Sequence, residues 1–133
     1  MTDKTKKFDV LVVDNEPRIC ELIQFFFSLS KKINRVVTAN STLQALQKMS
    51  NQSFDIIIVD QVMPGKSGLE LAEHVKKIPK YHNVKILLIS GCLQKEDVIK
   101  ALNLGIKHVL VKPFTHQQLF EKMENLLGLK SML

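Results

Sequence analysis

An α/β domain, doubly wound around five parallel strands, is the fold class this sequence predicts. Two observations predict it. Short apolar runs rich in β-branched residues recur along the chain, among them "FDVLVV", "DIIIV" and "HVLV", and each has the length of a strand. Each run is followed by a segment whose apolar residues return at helical spacing, and strands alternating with helices build a parallel sheet covered on both faces.

The first strand covers Phe8 to Val13. Pro17 suits the first turn of a helix, where its missing N–H would have no partner, so a helix runs from about Pro17 to Ser30 with Ile19, Leu22, Ile23, Phe26 and Leu29 as its apolar face. Further strands are expected at Arg35 to Ala39, Asp55 to Val59, Lys85 to Ile89 and Lys107 to Val111. The helices between and after them fall at Thr42 to Met49, Gly68 to Ile78, Lys95 to Leu104 and Gln117 to Leu127. Local signals agree with these bounds. Ser41 can cap the second helix, Thr115 with Gln118 three residues on makes a capping box for the last, and Gly105 and Gly128 stand where helices end.

The chain has 133 residues, 45% of them hydrophobic, which is enough for one core and one domain over 1–133, with its folded part at about 8–127. The start "MTDKTKKFDV" lacks an apolar signal region, and no stretch reaches the roughly 18 apolar residues of a membrane span, so the expected location is the cytoplasm with no membrane partner. Cys20 and Cys92 are far apart, and His74, His82, His108 and His116 stand singly; neither a disulfide framework nor a zinc site is expected. A net charge of +6 permits nucleic acid or an acidic protein surface as a partner and demands neither. The lysines are nevertheless scattered and no helix-turn-helix is left over, so they read as a solvated surface, with no direct nucleic-acid contact expected.

In a parallel sheet the carboxyl ends of all strands meet at one edge, where ligands of open α/β sheets bind. The first strand delivers Asp14 and Asn15 there, the third Asp60, the fourth Ser90, and the fifth Lys112 followed by Pro113. Taken singly, each has a bland reading as a cap, turn former or loop residue. Their conjunction is more specific: clustered carboxylates need a counter-charge such as magnesium, and a hydroxyl and an ammonium beside them supply what a phosphoryl group requires.

The block "DIIIVDQVMPGKSGLEL" and the later "LVKPF" resemble the response regulator receiver domains of two-component signalling, of the single-domain, chemotaxis-regulator type. The resemblance runs from Phe8 to Leu127 and implies a flavodoxin-like receiver fold. By that match Asp60 is the expected phosphoacceptor, Ser90 the hydroxyl that bonds the phosphoryl group, and Lys112 the lysine that neutralises it, with a cis Lys112–Pro113 bond. The implied magnesium ligands are Asp14, Asn15, Asp60 and the backbone carbonyl of Val62. The implied partners are a sensor histidine kinase or histidine phosphotransfer protein, and then a target protein or a second copy of the chain. The chain is expected to be a regulatory phosphoacceptor, not an enzyme on other substrates.

Two positions depart from the family pattern. Asn15 stands where the family has a second acid, and the lost charge implies magnesium binding weakened by roughly ten- to a thousandfold; the adjacent Glu16 is a possible substitute. Val109 stands where the family has an aromatic ring that swings inward on activation, and a valine cannot make that movement. A phosphorylation-controlled switch is therefore weighed against a degenerate receiver that docks proteins without phosphate. An unrelated enzyme finds no support: no second Asp follows two residues after Asp14 or Asp60, and the glycines form neither a P-loop nor a dinucleotide fingerprint. The final "GLKSML" is compatible with a docking tail, a fold-back or the stub of a longer protein.

Overall fold

The computed structural model describes residues 6–133. Along the chain run β1 (Phe8–Val13), α1 (Pro17–Ser28), β2 (Ile33–Ala39), α2 (Thr42–Asn51), β3 (Ile56–Asp60), α3 (Gly68–Lys76), β4 (Lys85–Ser90), α4 (Lys95–Asn103), β5 (Val109–Val111) and α5 (His116–Leu127). The strands form one parallel sheet in the order β2-β1-β3-β4-β5. The order reverses direction between β1 and β3, which opens a crevice at their carboxyl ends.

Strand alternation divides the interior in two. Leu11, Val13, Ile57, Val59, Ile86 and Leu88 face the side covered by α2, α3 and α4. Val10, Val12, Ile56, Ile58, Leu87 and Ile89 face the side covered by α1 and α5. The apolar runs of β1 and β3 are apolar at both parities because each face of the sheet is roofed.

The helix ends follow the expected chemistry. Ser41 accepts from the Gln44 N–H at 3.1 Å, and Thr115 and Gln118 form the reciprocal capping box at 3.1 and 2.9 Å. Gly105 and Gly128 have φ of 78° and 67°, the left-handed region in which glycine ends a helix without strain.

Several boundaries differ from the sequence reading. β5 begins at Val109, not Lys107, because the chain leaves α4 through the Gly105 turn and first pairs with β4 at Leu88↔Val109. α3 ends at Lys76, since Pro79 starts a separate single 3-10 turn whose Tyr81 is buried and donates its hydroxyl to the carbonyls of Met49 and Gln52. On α1 the buried stripe is Cys20, Ile23 and Phe27, flanked by Ile19 and Phe26, while Leu29 lies outside the helix and exposed.

The tail folds back. Met132 is fully buried in the α1/α5 cluster; its N–H donates to Glu124 at 2.9 Å and its carbonyl accepts from the Ser30 hydroxyl.

Candidate functional site

Registration of the strands sets the site. Val13 pairs with Val59, Asp60 with Ile89, and Ser90 with Val111, so Asp14, Asp60, Ser90 and Lys112 leave the sheet at neighbouring strand ends. The first three are buried. The Lys112 ammonium lies 2.9 Å from Asp14 Oδ2, 3.0 Å from Glu16 Oε1 and 3.0 Å from Asp60 Oδ2. The Lys112–Pro113 peptide is cis, as expected.

Three carboxylates and one ammonium leave two negative charges in a small volume. Burial lifts the Asp14 carboxyl above its ordinary range, and the charge of Asp60 adds to the lift, while the Glu16 N–H and Lys112 oppose it. Burial pulls Lys112 the other way, but its ion pair with Asp14 and its hydrogen bonds to Glu16 and Asp60 outweigh this and hold the amine well above the ordinary lysine range. Lys112 is therefore a permanent ammonium here.

Backbone donors fix the carboxylates. The Glu16 N–H donates to Asp14 Oδ1 at 2.9 Å, and the Val62 N–H to Asp60 Oδ1 at 3.3 Å. Asp14 Oδ2 is buried and lacks a hydrogen bond; the Lys112 contact is an ion pair without hydrogen-bond alignment. Oxygens of Asp14, Glu16 and Asp60 lie within 4.8 Å of one another, so this set fits a hard cation held by oxygen. Its third side chain is Glu16; Asn15 is exposed beside it.

Ser90 Oγ accepts from the Cys92 N–H at 3.1 Å, a bond that does not use the hydroxyl proton. Gly68 closes the site from the α3 side. A Cβ there would overlap the Asp60 carbonyl, which is why α3 starts on a glycine. Cys20, whose thiol donates to the Asp14 carbonyl at 3.5 Å, is pushed up to about 11 by burial first and the Asp14 charge second, and remains a protonated packing residue.

One residue of this region carries no motif signal. Gln61, next to Asp60, is buried, and its side chain bonds both Leu69 and Asp97. A single glutamine has neither periodicity nor a partner spacing that a sequence could display.

Comparison with known proteins places these features in a family. The response regulator receiver domain family matches residues 10–124. The chain is 32% identical to chemotaxis protein CheY1 of Helicobacter pylori over 90% of this chain and 96% of that protein. It is also 31% identical to hybrid signal transduction histidine kinase D of Dictyostelium discoideum over 91% of this chain, but it spans only 8% of that protein's length. With a CheY homolog of Campylobacter jejuni it shares 40% identity over 59% of this chain and 60% of that protein. The solved structure of Vibrio cholerae CheY4 superimposes with a TM-score of 0.82 at 27% identity, covering 90% of this chain and 98% of that one. With the parallel sheet, the acidic strand ends and the Lys112 contact in the same places that the family match spans, the chain belongs to the response regulator receiver domains.

Proposed function

We propose that Asp60 accepts a phosphoryl group from a histidine kinase or a histidine phosphotransfer protein, assisted by magnesium, and that this modification switches the chain's contacts with a target protein or a second copy of itself. The observation that carries the reading is the Asp60 carboxylate itself: buried at a strand end, 3.0 Å from a permanent ammonium and grouped with two further carboxylates.

In an in-line transfer an Asp60 oxygen forms the new P–O bond as the P–N bond of the donor phosphohistidine breaks, and the electron pair stays on the imidazole nitrogen. Bound magnesium would supply a divalent counter-charge to the phosphoryl oxygens; Asp14, Asp60 and Glu16 would hold it, with Asn15 and the Val62 carbonyl as further oxygen donors. Lys112 stands beside Asp60 and follows the charge onto the new oxygens, while the uncommitted Ser90 proton donates to one of them. The Val62 N–H, already on Asp60 Oδ1, holds the carboxylate's rotation.

Incubation with acetyl phosphate and magnesium, read by intact mass, tests this. One added phosphoryl group is expected in the wild type and none in Asp60→Asn. A wild type that gains no mass at any magnesium concentration would favour the phosphate-independent docking module, the reading that Asn15 and Val109 support.

A further inference from the structure

Gln61 is joined by a peptide bond to Asp60 and is 7% exposed. Every polar atom it carries is paired. Its N–H donates to the Ile89 carbonyl at 2.9 Å and its carbonyl accepts from the Gly68 N–H at 3.1 Å. Its side-chain oxygen accepts from the Leu69 N–H at 2.9 Å, in the first turn of α3, and its side-chain nitrogen donates to Asp97 Oδ1 at 3.1 Å, in the first turn of α4. The other oxygen of Asp97 accepts from the N–H of Gln94, the N-cap of α4, at 3.3 Å.

α4 is otherwise lightly held. Ala101 is its one buried residue, and Val98, Ile99 and Leu102 are exposed. A hydrogen bond to an ionised carboxylate is stronger than one between neutral groups, so the Gln61 bond is a large share of what fixes the first turn of this helix. The side chain of Val109, packed against the α2–α4 side of the core, has no polar atom with which to relay a change at Asp60.

We propose that Gln61 is the positioning residue through which the state of Asp60 reaches α4, by way of its hydrogen bond to Asp97; this rests on Asp60 being the phosphoacceptor. A phosphoryl group formed on Asp60 Oδ1 takes the oxygen that now accepts from the Val62 N–H, and the peptide unit between Gln61 and Val62, which carries that N–H, turns to find a new acceptor. A buried amide fixed at both ends passes such a movement on by lengthening or breaking a bond, not by gradual bending.

The experiment is hydrogen exchange of α4 peptides with and without acetyl phosphate and magnesium, with labelling of each protein measured by intact mass. In the wild type, exchange across the first turn of α4 should change on labelling. Gln61→Glu keeps an acceptor for Leu69 but sets a negative charge against Asp97. The α4 response should then shrink by roughly fivefold, a modest coupling factor, while Asp60 still labels. Adding Asp97→Asn to Gln61→Glu returns a donor–acceptor pair with its polarity reversed, and the response should return, which a purely structural defect would not allow. Asp97→Ala, at a half-buried helix position, should uncouple in the same way if Gln61→Glu does not fold. No labelling of the wild type overturns the phosphoacceptor reading and this inference with it. Normal labelling with an α4 response that is absent in the wild type, or unchanged in Gln61→Glu and Asp97→Ala, overturns the inference alone.

Discussion

Glu16 Oε1 lies 3.0 Å from Lys112 Nζ, although Glu16 stands at the exposed start of α1 and makes no cap bond of its own. The acid absent at Asn15 is thus matched by one a residue later. Glu16→Gln should weaken magnesium binding by roughly tenfold, as expected for one formal charge near a divalent ion after screening. Calorimetric titration reads this directly; an unchanged dissociation constant would mean that Glu16 stays on Lys112 when the ion binds.

Asn15→Asp should have the opposite effect on the ion, again by roughly tenfold, because a charge is gained with almost no change of shape. Without magnesium the variant should melt lower than the wild type, since a fourth carboxylate joins the cluster around Lys112. The magnesium-induced rise in melting temperature should grow. A rise no larger than that of the wild type would show that Glu16 already fills the ligand position.

Asp14 should cost stability in the metal-free chain. Its carboxyl is raised above 3.8, so its contribution favours folding below that pH and is lost as pH rises through the folded value. Asp14→Asn should therefore raise the metal-free melting temperature at pH 7, read by thermal denaturation in the absence of magnesium. The gain should shrink near pH 4 and reverse at saturating magnesium. Identical melting at pH 7 would indicate that Lys112 fully offsets the burial of Asp14.

Val62 is exposed and its N–H donates to the Asp60 carboxylate; on the function proposed above, its side chain would flank the approach of a water that hydrolyses the phosphoryl group. An aliphatic side chain restricts that approach and cannot orient the water. Val62→Asn should speed loss of the phosphoryl group by roughly tenfold, about 1.4 kcal/mol of activation free energy. Decay followed by intact mass after donor removal, at saturating magnesium, checks this; equal lifetimes would locate the control elsewhere.

Met132→Ala should destabilise the chain by roughly 2 to 4 kcal/mol, the usual cost of emptying a buried methionine site. Urea unfolding should show a lower midpoint with an unchanged slope. A loss below about 0.5 kcal/mol would be the behaviour of a surface position and would contradict the fold-back.

The sheet, its order of elements and the four strand-end groups were legible because each leaves a local mark: an apolar run, a helical period, a polar residue where the run stops. Asp60 closes β3 and Lys112 directly follows β5, where the apolar runs stop. Gln61 was not legible, since its importance lies in reaching Asp97, thirty-six positions away. Glu16 reads from the sequence only as a possible substitute, because a carboxylate near a helix start is equally suited to capping. The Pro79–Tyr81 turn and the seat of Met132 depend on tertiary packing against Met49, Gln52 and Glu124, for which a single sequence has no period to show.

The partition of the interior by the sheet bears on how the protein can be altered. Phe27 and Met123 share a cluster on one side, Met49 and Val75 one on the other, with strand backbones between them. Substitutions drawn from opposite sides meet through no common side chain, so their free-energy effects should add, whereas pairs from the same side should not. Each half can accordingly be repacked as a separate problem, and variants selected on one side can be combined with variants from the other without a new search.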